Sequence, residues 1–529
     1  MRAHSRLLTA VVSTSLLVAA CDAAVPSPSA APASAPTSAL GSPTAFQPTF
    51  EEVPCPEDVT SEVVIPASCG YLTVLEDRSK PRGRTIHLFV VRFDPPGGTT
   101  TMDPLIALGQ LAGRDGYGDM SEGGQRTHRV EYLLDPRGIG HSTPSLDCPE
   151  VALIGPDIAG LRLRDSNRKS ILLGAVTACR DRLVGQGIDI AAYDLAANAS
   201  DLEDLRNTLG IARWNINTNG DTSRLAFEVA RRFPAGLRSL MIDSPSLPSP
   251  NFLTLGPASL DVAIGRLVSL CAADPDCARE FPDLAAMIRN ASAQLDANPA
   301  VLDVTGTVMA ITLGHPIQVQ IDGAALIRIV RFGLANQGGS AAVRILRTVR
   351  TVIDGTLSAD NPDVIALASD VGDCFGIFPS CDEGLHLGAL YSIVCRDLAP
   401  EVDDGRLRAS LDGRAAYADV FSPSPLLAPC DAWGVPPAQG IVPEPLTGGV
   451  PTLILHGALD PYSATATDIA AAAGDAANLY VIDVPNQSYN ALGWTECPRT
   501  IRNAWVDALT SPPADTICLA SIPPIDLAP

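Results

Sequence analysis

The stretch WNINTNGDTSRLA, Trp214–Ala226, marks a change of sequence periodicity around which the rest of the chain can be ordered. The segment Arg213–Asn217 is short and reads as a β-strand. After the turn at 218–222, apolar residues recur at helical spacing until Pro234: Leu225, Ala226, Val229, Ala230 and Phe233. A strand that turns directly into a helix is half of a βαβ unit, so the stretch predicts an α/β protein.

Strands and helices alternate on both sides of this turn. Strands are predicted at Thr85–Phe93 (TIHLFVVRF), Pro104–Leu108, Val130–Leu134, Leu237–Asp243, from Val450 (VPTLILHG) and at Leu479–Val484. The sequence Ser200-Asp201-Leu202-Glu203 has the form of a capping box and predicts a helix that begins at Ser200 and ends near Gly210. Further helices are predicted from about Ala464 and near Ile501–Leu509. This alternation predicts a doubly wound, mostly parallel sheet.

The order of these patterns predicts an interrupted domain. Between Pro245 and about Pro443 the periodicity is mostly helical, and the strand pattern resumes only at Val450. We therefore expect a core in two parts, 51–247 and 444–529, with a mainly helical cap or lid inserted at 248–443.

The N-terminus predicts export. Residues 1–21 contain Arg2 and Arg6, an apolar run too short to span a bilayer, and Val18-Ala19-Ala20-Cys21, which resembles a bacterial lipobox. Ordinary signal cleavage is the alternative, but we expect lipidation at Cys21. Residues 22–50, rich in Ala, Pro, Ser and Thr, predict a disordered tether. The predicted location is the outer, extracytoplasmic face of the cell membrane.

The net charge of −22 over 529 residues argues against a nucleic-acid partner, because a phosphate backbone would be repelled. Besides Cys21 there are twelve cysteines, an even number typical of disulfides in an exported protein. Pairing neighbours in order gives Cys55 with Cys69, Cys148 with Cys179, Cys271 with Cys277, Cys374 with Cys381, Cys395 with Cys430, and Cys497 with Cys518. Metal ligation is the competing interpretation, but the chain has no C-x-x-C pair, and we expect neither a metal nor a cofactor.

Several motifs resemble one family. These are DPRGIGHS at 135–142, DLEDLRNTLGIARWN from Asp201, the cysteines Cys395 and Cys430, and VPTLILHGALDPYS from Val450. Together they resemble secreted tripeptidyl-aminopeptidase-like and prolyl-aminopeptidase-like α/β-hydrolases. The resemblance implies an α/β-hydrolase fold and a Ser-Asp-His triad in that chain order, with Asp460 at the position of the acid.

The other two members of the triad are replaced. The family pattern W-N-x-x-G-x-S-Y-G-T-x-L-A fits from Trp214 without a gap and puts Gly220 at the nucleophile position. All seven histidines precede Asp460, and the base position falls on Tyr489, whose phenol is a poor base near neutral pH. In the oxyanion region, Gln110 and Leu111 replace the glycine-rich turn, and Asp221 brings a carboxylate beside its own N–H.

The alternative hypothesis is an enzyme whose catalytic residues stand at other positions than in the family. Asp221 could act as a nucleophile, but no histidine follows to activate water. Ser223 and Ser244 lie outside the nucleophile elbow, the strand-turn-helix motif that carries the serine in these hydrolases. His456 is expected to be structural. We therefore expect an inactive relative of these peptidases that binds a peptide, a small apolar ligand or a protein partner in the cleft between sheet and cap. An active serine-type peptidase or esterase with a rearranged site is the second hypothesis.

Overall fold

Nine strands of the described residues form one sheet, in the order β1-β2-β3-β5-β4-β6-β7-β10-β11. The computed structural model describes residues 46–529 except 64, 96, 99, 110–126, 249, 336–337, 374–385, 422–426, 439–448, 474–477, 510–512, 514–515, 526 and 528–529. The strands are β1 Thr49–Val53, β2 Ala67–Leu75, β3 Thr85–Phe93, β4 Leu105–Leu108, β5 Glu131–Leu134, β6 Trp214–Asn219, β7 Leu237–Asp243, β8 Ala300–Val304, β9 Ile317–Ile321, β10 Thr452–Gly457 and β11 Leu479–Val484. Strands β8 and β9 form a separate antiparallel pair.

The sheet has an antiparallel edge and a parallel body. Strands β1, β2, β3 and β5 pair antiparallel, whereas all neighbours from β5 through β4, β6, β7 and β10 to β11 run parallel. Every residue of β4, β5 and β10 is buried, as expected of parallel strands covered on both faces. The predicted doubly wound, mostly parallel sheet is confirmed, and it has the α/β-hydrolase fold.

Helices cover the sheet and fill the segment between β7 and β10. The α-helices of the described residues are Glu57–Glu62, Pro149–Ala152, Gly155–Ala159, Ser166–Gly185, Leu195–Thr208, Ser223–Arg232, Phe252–Ala273, Pro275–Glu280, Leu284–Ala297, Val308–Leu313, Gly323–Ala335, Gly338–Ile353, Pro362–Asp373, Leu387–Ile393, Asp404–Leu411, Ala415–Phe421, Cys430–Trp433, Ala466–Ala473, Ala491–Trp494 and Glu496–Ala508. Phe252–Ala273 is long and apolar enough to cross a bilayer, yet its Leu260 and Leu267 are fully buried in the protein.

The hydrophobic core has three parts. Alternate residues of β3 point to opposite faces of the sheet, so Leu88 and Val90 join one core cluster and Phe89 and Val91 join another. A third cluster is built almost entirely from the segment between β7 and β10, which we call the insertion (residues 244–451). The exact domain boundaries at 247 and 443 stay a prediction.

The capping-box prediction at Ser200 is wrong. The helix begins at Leu195, and its N-cap is Asp194, whose side chain accepts a hydrogen bond from the N–H of Ala197 at 2.7 Å. Ser200 lies inside the helix, where its hydroxyl donates to the carbonyl of Ala196. The aspartate six residues earlier satisfies the free N–H groups of the first turn, so the later motif caps nothing.

Five disulfides join cysteines of the described residues, and each joins a pair predicted from the sequence. They are Cys55–Cys69, Cys148–Cys179, Cys271–Cys277, Cys395–Cys430 and Cys497–Cys518. Cys374 and Cys381 lie outside the described residues, as do the lipobox cysteine Cys21 and the tether up to residue 45.

Candidate functional site

The turn after β6 has the strand-turn-helix backbone of a nucleophile elbow. Strand β6 ends at Asn219, one turn of 3-10 helix covers Gly220–Thr222, and the helix Ser223–Arg232 follows at once. Gly220 is buried and has φ +52°, a left-handed conformation that costs glycine little and other residues more. The residue at the predicted nucleophile position therefore has the backbone of an elbow and no side chain.

Tyr489 fills the space in front of this glycine. A β-carbon built on Gly220 would lie well inside 3.0 Å of the Tyr489 hydroxyl oxygen, closer than real β-carbons come to any atom. Tyr489 follows β11 on a loop in which Asn486 and Asn490 both have positive φ, 58° and 59°. The loop thus turns twice and directs the phenol at the elbow, so the predicted base and nucleophile positions do come together in space.

Asp460, at the predicted acid position, follows β10 and is 4% exposed. Its Oδ1 accepts hydrogen bonds from the N–H groups of Tyr462 at 2.8 Å and Ser463 at 3.1 Å. Its Oδ2 is buried and has no hydrogen-bond partner among the described residues. One oxygen is therefore fixed by the turn, and the other is left without the donor that a buried carboxylate normally has.

The electrostatics of this region keep the Tyr489 phenol protonated. Burial raises its pKa well above 10, and the nearby carboxylates of Asp221, Asp460 and Asp243 raise it further. The hydroxyl therefore holds its proton throughout the physiological range and cannot accept one as a general base. Tyr462 packs edge-on against Tyr489 at a centroid distance of 6.1 Å, and the guanidinium of Arg331 lies 4.0 Å over the Tyr462 ring. The sequence analysis did not foresee Arg331, which comes from the insertion.

Asp243 is a further buried carboxylate, at the end of β7. It accepts hydrogen bonds from the N–H groups of Ala491 at 3.0 Å and Leu492 at 2.7 Å, and from the Ser244 hydroxyl at 3.1 Å. Complete burial raises its pKa to about 6, and the charge of Asp460 adds to that rise. Asp243 thus fixes the start of the helix that follows Tyr489.

The two alternative serines are held in structural contacts. Ser223 is fully buried and donates to the carbonyl of Gly220 at 2.6 Å, while its oxygen accepts the N–H of Ser246 at 2.8 Å. Ser244 is fully buried as well, and its oxygen accepts the N–H of Asn490 at 2.9 Å. No histidine contacts either hydroxyl among the hydrogen bonds of the described residues.

Two histidines of interest lie away from the elbow. His456 on β10 bonds through Nδ1 to Asp483 on the neighbouring strand at 3.0 Å. His386 contacts both Asp147, at 2.5 Å, and Ser145, at 3.4 Å, a serine-histidine-aspartate group that the sequence analysis missed. Both contacts use the same nitrogen, Nδ1, and Nε2 accepts the N–H of Gly140, so the group lacks the relay geometry of a triad.

Hydrogen bonds of its own buried side chains hold the DPRGIGHS segment, 135–142, in place. Arg137 is buried and binds both oxygens of Asp201, at 2.6 and 2.8 Å, and it donates to the carbonyls of Glu76 and Ala192. Asp135 accepts the N–H of His141 at 2.7 Å. This network ties the loop to the helix Leu195–Thr208, to the 3-10 turn Ile190–Ala192 and to the residue that follows β2.

The three positions predicted for the oxyanion region are only partly described by the structure. Asp221 is half-buried and directly follows Gly220, whereas Gln110 and Leu111 lie outside the described residues. Among the described residues, no group of three His, Cys, Asp or Glu side chains could hold a metal ion. A cavity of about 530 Å³ lies elsewhere, beside Arg180, Ile188 and Trp433.

No family model matches the chain, and neither does any curated protein sequence. Solved structures that match include an α/β hydrolase fold protein from Chitinophaga pinensis, 10% identical, with a TM-score of 0.35, covering 84% of this chain and 99% of that one. The proline iminopeptidase of Mycobacterium smegmatis is 14% identical, with a TM-score of 0.35 and coverage of 80% and 95%. A proline iminopeptidase-related protein from Thermus thermophilus is 15% identical, with a TM-score of 0.31 and coverage of 84% and 98%. Because these TM-scores are below 0.5, the fold assignment rests on the strand order and on the turn after β6.

Proposed function

We propose that this protein is a non-hydrolytic member of the tripeptidyl-aminopeptidase-like α/β-hydrolases that acts by binding. The observation that carries the proposal is the position of the Tyr489 hydroxyl, in the place that a side chain on Gly220 would need. A serine there would collide with the phenol, and the phenol cannot replace the histidine base because burial and three carboxylates hold its proton. The elbow thus has no serine oxygen to attack a substrate and no histidine base. The phenol of Tyr489 fills the space that a serine side chain at position 220 would need.

The buried acid Asp460 supports the same proposal. In a serine triad the acid orients the histidine through a hydrogen bond. Here Oδ2 of Asp460 is buried and has no such donor among the described residues, while Oδ1 serves the turn through Tyr462 and Ser463. Asp460 is then a turn residue, and its free oxygen is what remains where a histidine would bond.

We propose that a cleft lies between the sheet and the insertion and that it holds a peptide, a small apolar ligand or a segment of a partner protein. Such a cleft does not depend on the triad, because it is made by the fold and by the side chains of the insertion. Arg331 and Tyr462 would contribute a guanidinium and an aromatic face to its wall.

The location is part of the proposal. A lipidated Cys21 followed by the tether up to residue 50 would hold the folded domain on the outer face of the cell membrane. Disulfides at five places in the domain fit an oxidising compartment. Detergent phase partition of the wild type and of Cys21→Ala tests the anchor: the wild type should enter the detergent phase and the variant the aqueous phase.

The function is tested with the purified wild type and a panel of aminoacyl, peptidyl and ester chromogenic substrates. We expect no turnover above that of Asp460→Asn. Turnover by the wild type that Asp460→Asn abolishes would overturn the proposal and favour an active peptidase or esterase with a rearranged site. Asp181→Asn, an exposed aspartate on a distant helix, serves as the matched control for handling and folding.

A further inference from the structure

A mostly extended segment crosses from the core to the insertion beside the candidate site. It begins with a turn of 3-10 helix and continues without regular secondary structure to Leu527. A disulfide between Cys497 and Cys518 fixes the beginning of this segment to the core helix Glu496–Ala508. We call its described residues, 516–525 and 527, the strap.

The strap is buried at two places, in two different hydrophobic clusters. Ile522 is 7% exposed and belongs to the cluster that also contains Val484, the last residue of β11. Leu527 is 2% exposed and belongs to the cluster of the insertion. Pro523 and Pro524, which lie between them, are exposed. The strap is therefore held by one buried side chain in the core and by another in the insertion.

The strap contacts the loop that carries Tyr489. The side-chain amide of Asn486 donates to the carbonyl of Pro523 at 3.2 Å. Asn486 and Asn490 both have a left-handed backbone, and between them the chain turns so that the phenol of Tyr489 lies against Gly220. The strap thus bonds to the first of the two residues between which Tyr489 turns into the elbow.

The same loop is bonded to the insertion and to the loop that follows β10. The hydroxyl of Ser488 donates to the carbonyl of Leu334, a residue of the insertion. The N–H of Leu459 donates to the carbonyl of Gln487 at 2.9 Å. The side chains of Leu334, Leu459 and Leu527 all belong to the hydrophobic cluster of the insertion. The strap therefore ends in the cluster to which the loop of Tyr489 is bonded.

Few contacts hold the far part of the strap. Among the described residues, its backbone beyond Ile522 makes one hydrogen bond, the one from Asn486. Segments with few hydrogen bonds and few buried side chains open at a lower free energy than the domain as a whole. Burial of Leu527 is therefore the main contact that keeps this part of the strap in place.

The insertion as a whole is held to the core by other contacts. Arg406 pairs with Asp468 at 3.0 Å, and Arg164 pairs with Asp419 at 2.9 Å. Side chains of the stretch 387–398 are part of the main hydrophobic cluster of the core. Release of the strap is therefore a local event that leaves the insertion on the core.

We propose that the strap keeps Tyr489 in the elbow, and that its release from Ile522 onward frees the loop Asn486–Asn490 and withdraws the phenol from Gly220. Withdrawal vacates the space in front of Gly220 and opens the turn to a ligand. The strap thereby controls access to the candidate site. This inference does not rest on the proposed binding function, because the contacts that carry it are the same whatever the site binds.

Hydrogen exchange of the full chain, measured by mass spectrometry, tests the strap. Leu527→Asp places a charge in a buried apolar position. We expect it to lower the protection of peptides covering 484–491 and 516–525 by about tenfold or more. Peptides from the core helix Ser166–Gly185 and the insertion helix Leu284–Ala297 should keep their wild-type protection.

Ile517→Asp is the matched control for the added charge. Ile517 lies in the same segment and is 83% exposed, so this variant should leave all four peptides as they are in the wild type.

A second pair of variants tests the contact between strap and loop without disturbing a hydrophobic cluster. Asn486→Gly suits the backbone at φ +58° and removes the bond to Pro523, and we expect the protection of the peptide covering 516–525 to fall by about threefold. Asn490→Gly is its control, because Asn490 has φ +59° in the same loop and does not bond to the strap among the described residues. It should leave the strap peptide unchanged.

Three results would overturn the proposal. If Leu527→Asp leaves the peptide covering 484–491 at its wild-type protection, the strap does not hold the loop. If the loss of protection extends equally to Leu284–Ala297, Leu527 is only a core residue of the insertion. If Asn486→Gly and Asn490→Gly change the strap peptide equally, the bond between Asn486 and Pro523 does not couple loop and strap, whether or not Leu527→Asp folds.

Discussion

The hydroxyl oxygen of Tyr489 occupies the space in which a β-carbon on Gly220 would lie. The two residues are far apart in the sequence, one after β6 and the other after β11. Because β6 and β11 are both strands of the parallel part of the sheet, the loops after them open at the same edge, and the phenol reaches the elbow there. The absence of a side chain at position 220 and the ring at position 489 therefore belong to one packing arrangement.

A serine on the elbow should destabilise the protein by more than backbone strain alone. Gly220→Ser places a side chain both at φ +52° and against Tyr489, and we expect a loss of about 3 kcal/mol in the free energy of unfolding. Gly187→Ser is the control, since Gly187 has φ +75° with nothing near its β-carbon, and it should cost about 1 kcal/mol. Denaturant unfolding measures both. Equal losses would mean that the phenol does not obstruct the elbow.

The buried carboxylate of Asp243 should make the free energy of unfolding depend on pH. Its pKa in the folded protein is about 6, above the ordinary 3.8, so folding takes up a proton between these values. The free energy of unfolding should therefore fall as pH rises from 3.8 to about 6, and the contribution of Asp243 should no longer change with pH above that range. Thermal melts of Asp243→Asn should lack this part of the pH dependence. An unchanged slope in the variant would contradict the assignment to Asp243.

Removal of Arg137, the buried arginine of the DPRGIGHS segment, should lower the free energy of unfolding substantially. Arg137→Met leaves buried Asp201 with Arg78 as its remaining cationic partner and leaves the carbonyls of Glu76 and Ala192 without this donor, and we expect a loss of about 3 kcal/mol. Arg279→Ala is the comparison, because Arg279 and Asp276 form an exposed pair, 74% and 64% accessible, and its loss should stay below about 1 kcal/mol. If chemical denaturation shows similar losses for the two variants, the network around Arg137 is not what holds the segment.

The disulfide pattern can be read directly by peptide mapping without reduction. We expect the five pairs of the structure, and also a peptide in which Cys374 is linked to Cys381, as the order of the cysteines predicts. Labelling with a maleimide before reduction should then find no free thiol in the mature domain. A labelled cysteine, or a linkage between non-neighbouring cysteines, would show that the pairing rule fails here.

The sequence predicted the sheet well and the helix starts less well. Strands β3, β7 and β11 match their predicted bounds because each is a run of apolar and β-branched residues that ends at proline, aspartate or a turn. The helix at Leu195 was misplaced because Ser200 to Glu203 has the form of a cap in the middle of a helix that Asp194 already caps. Strands β1, β8 and β9 were missed, since runs of five partly exposed residues are weak signals. Strand β2 has nine residues, but Ser68, Gly70 and Thr73 interrupt its apolar pattern.

The candidate site could be located from the sequence, but its packing could not. Counting along the motif identified Gly220, Asp460 and Tyr489, which the structure places around one turn. The depth to which the phenol enters depends on the left-handed backbone at Asn486 and Asn490, which no sequence pattern specified. The stack of Arg331 on Tyr462 depends on how the insertion folds back, and that is a tertiary relationship.

The central claim is that the elbow carries no serine chemistry, and fluorophosphonate labelling with peptide mapping tests it most directly. We predict that the wild type is not labelled, and that Gly220→Ser combined with Tyr489→His is labelled at position 220, because the second change clears the space and gives Asp460 an imidazole to orient. Asp460→Asn in that background should weaken the labelling. Labelling of the wild type at any serine, abolished by Asp460→Asn, would contradict the claim.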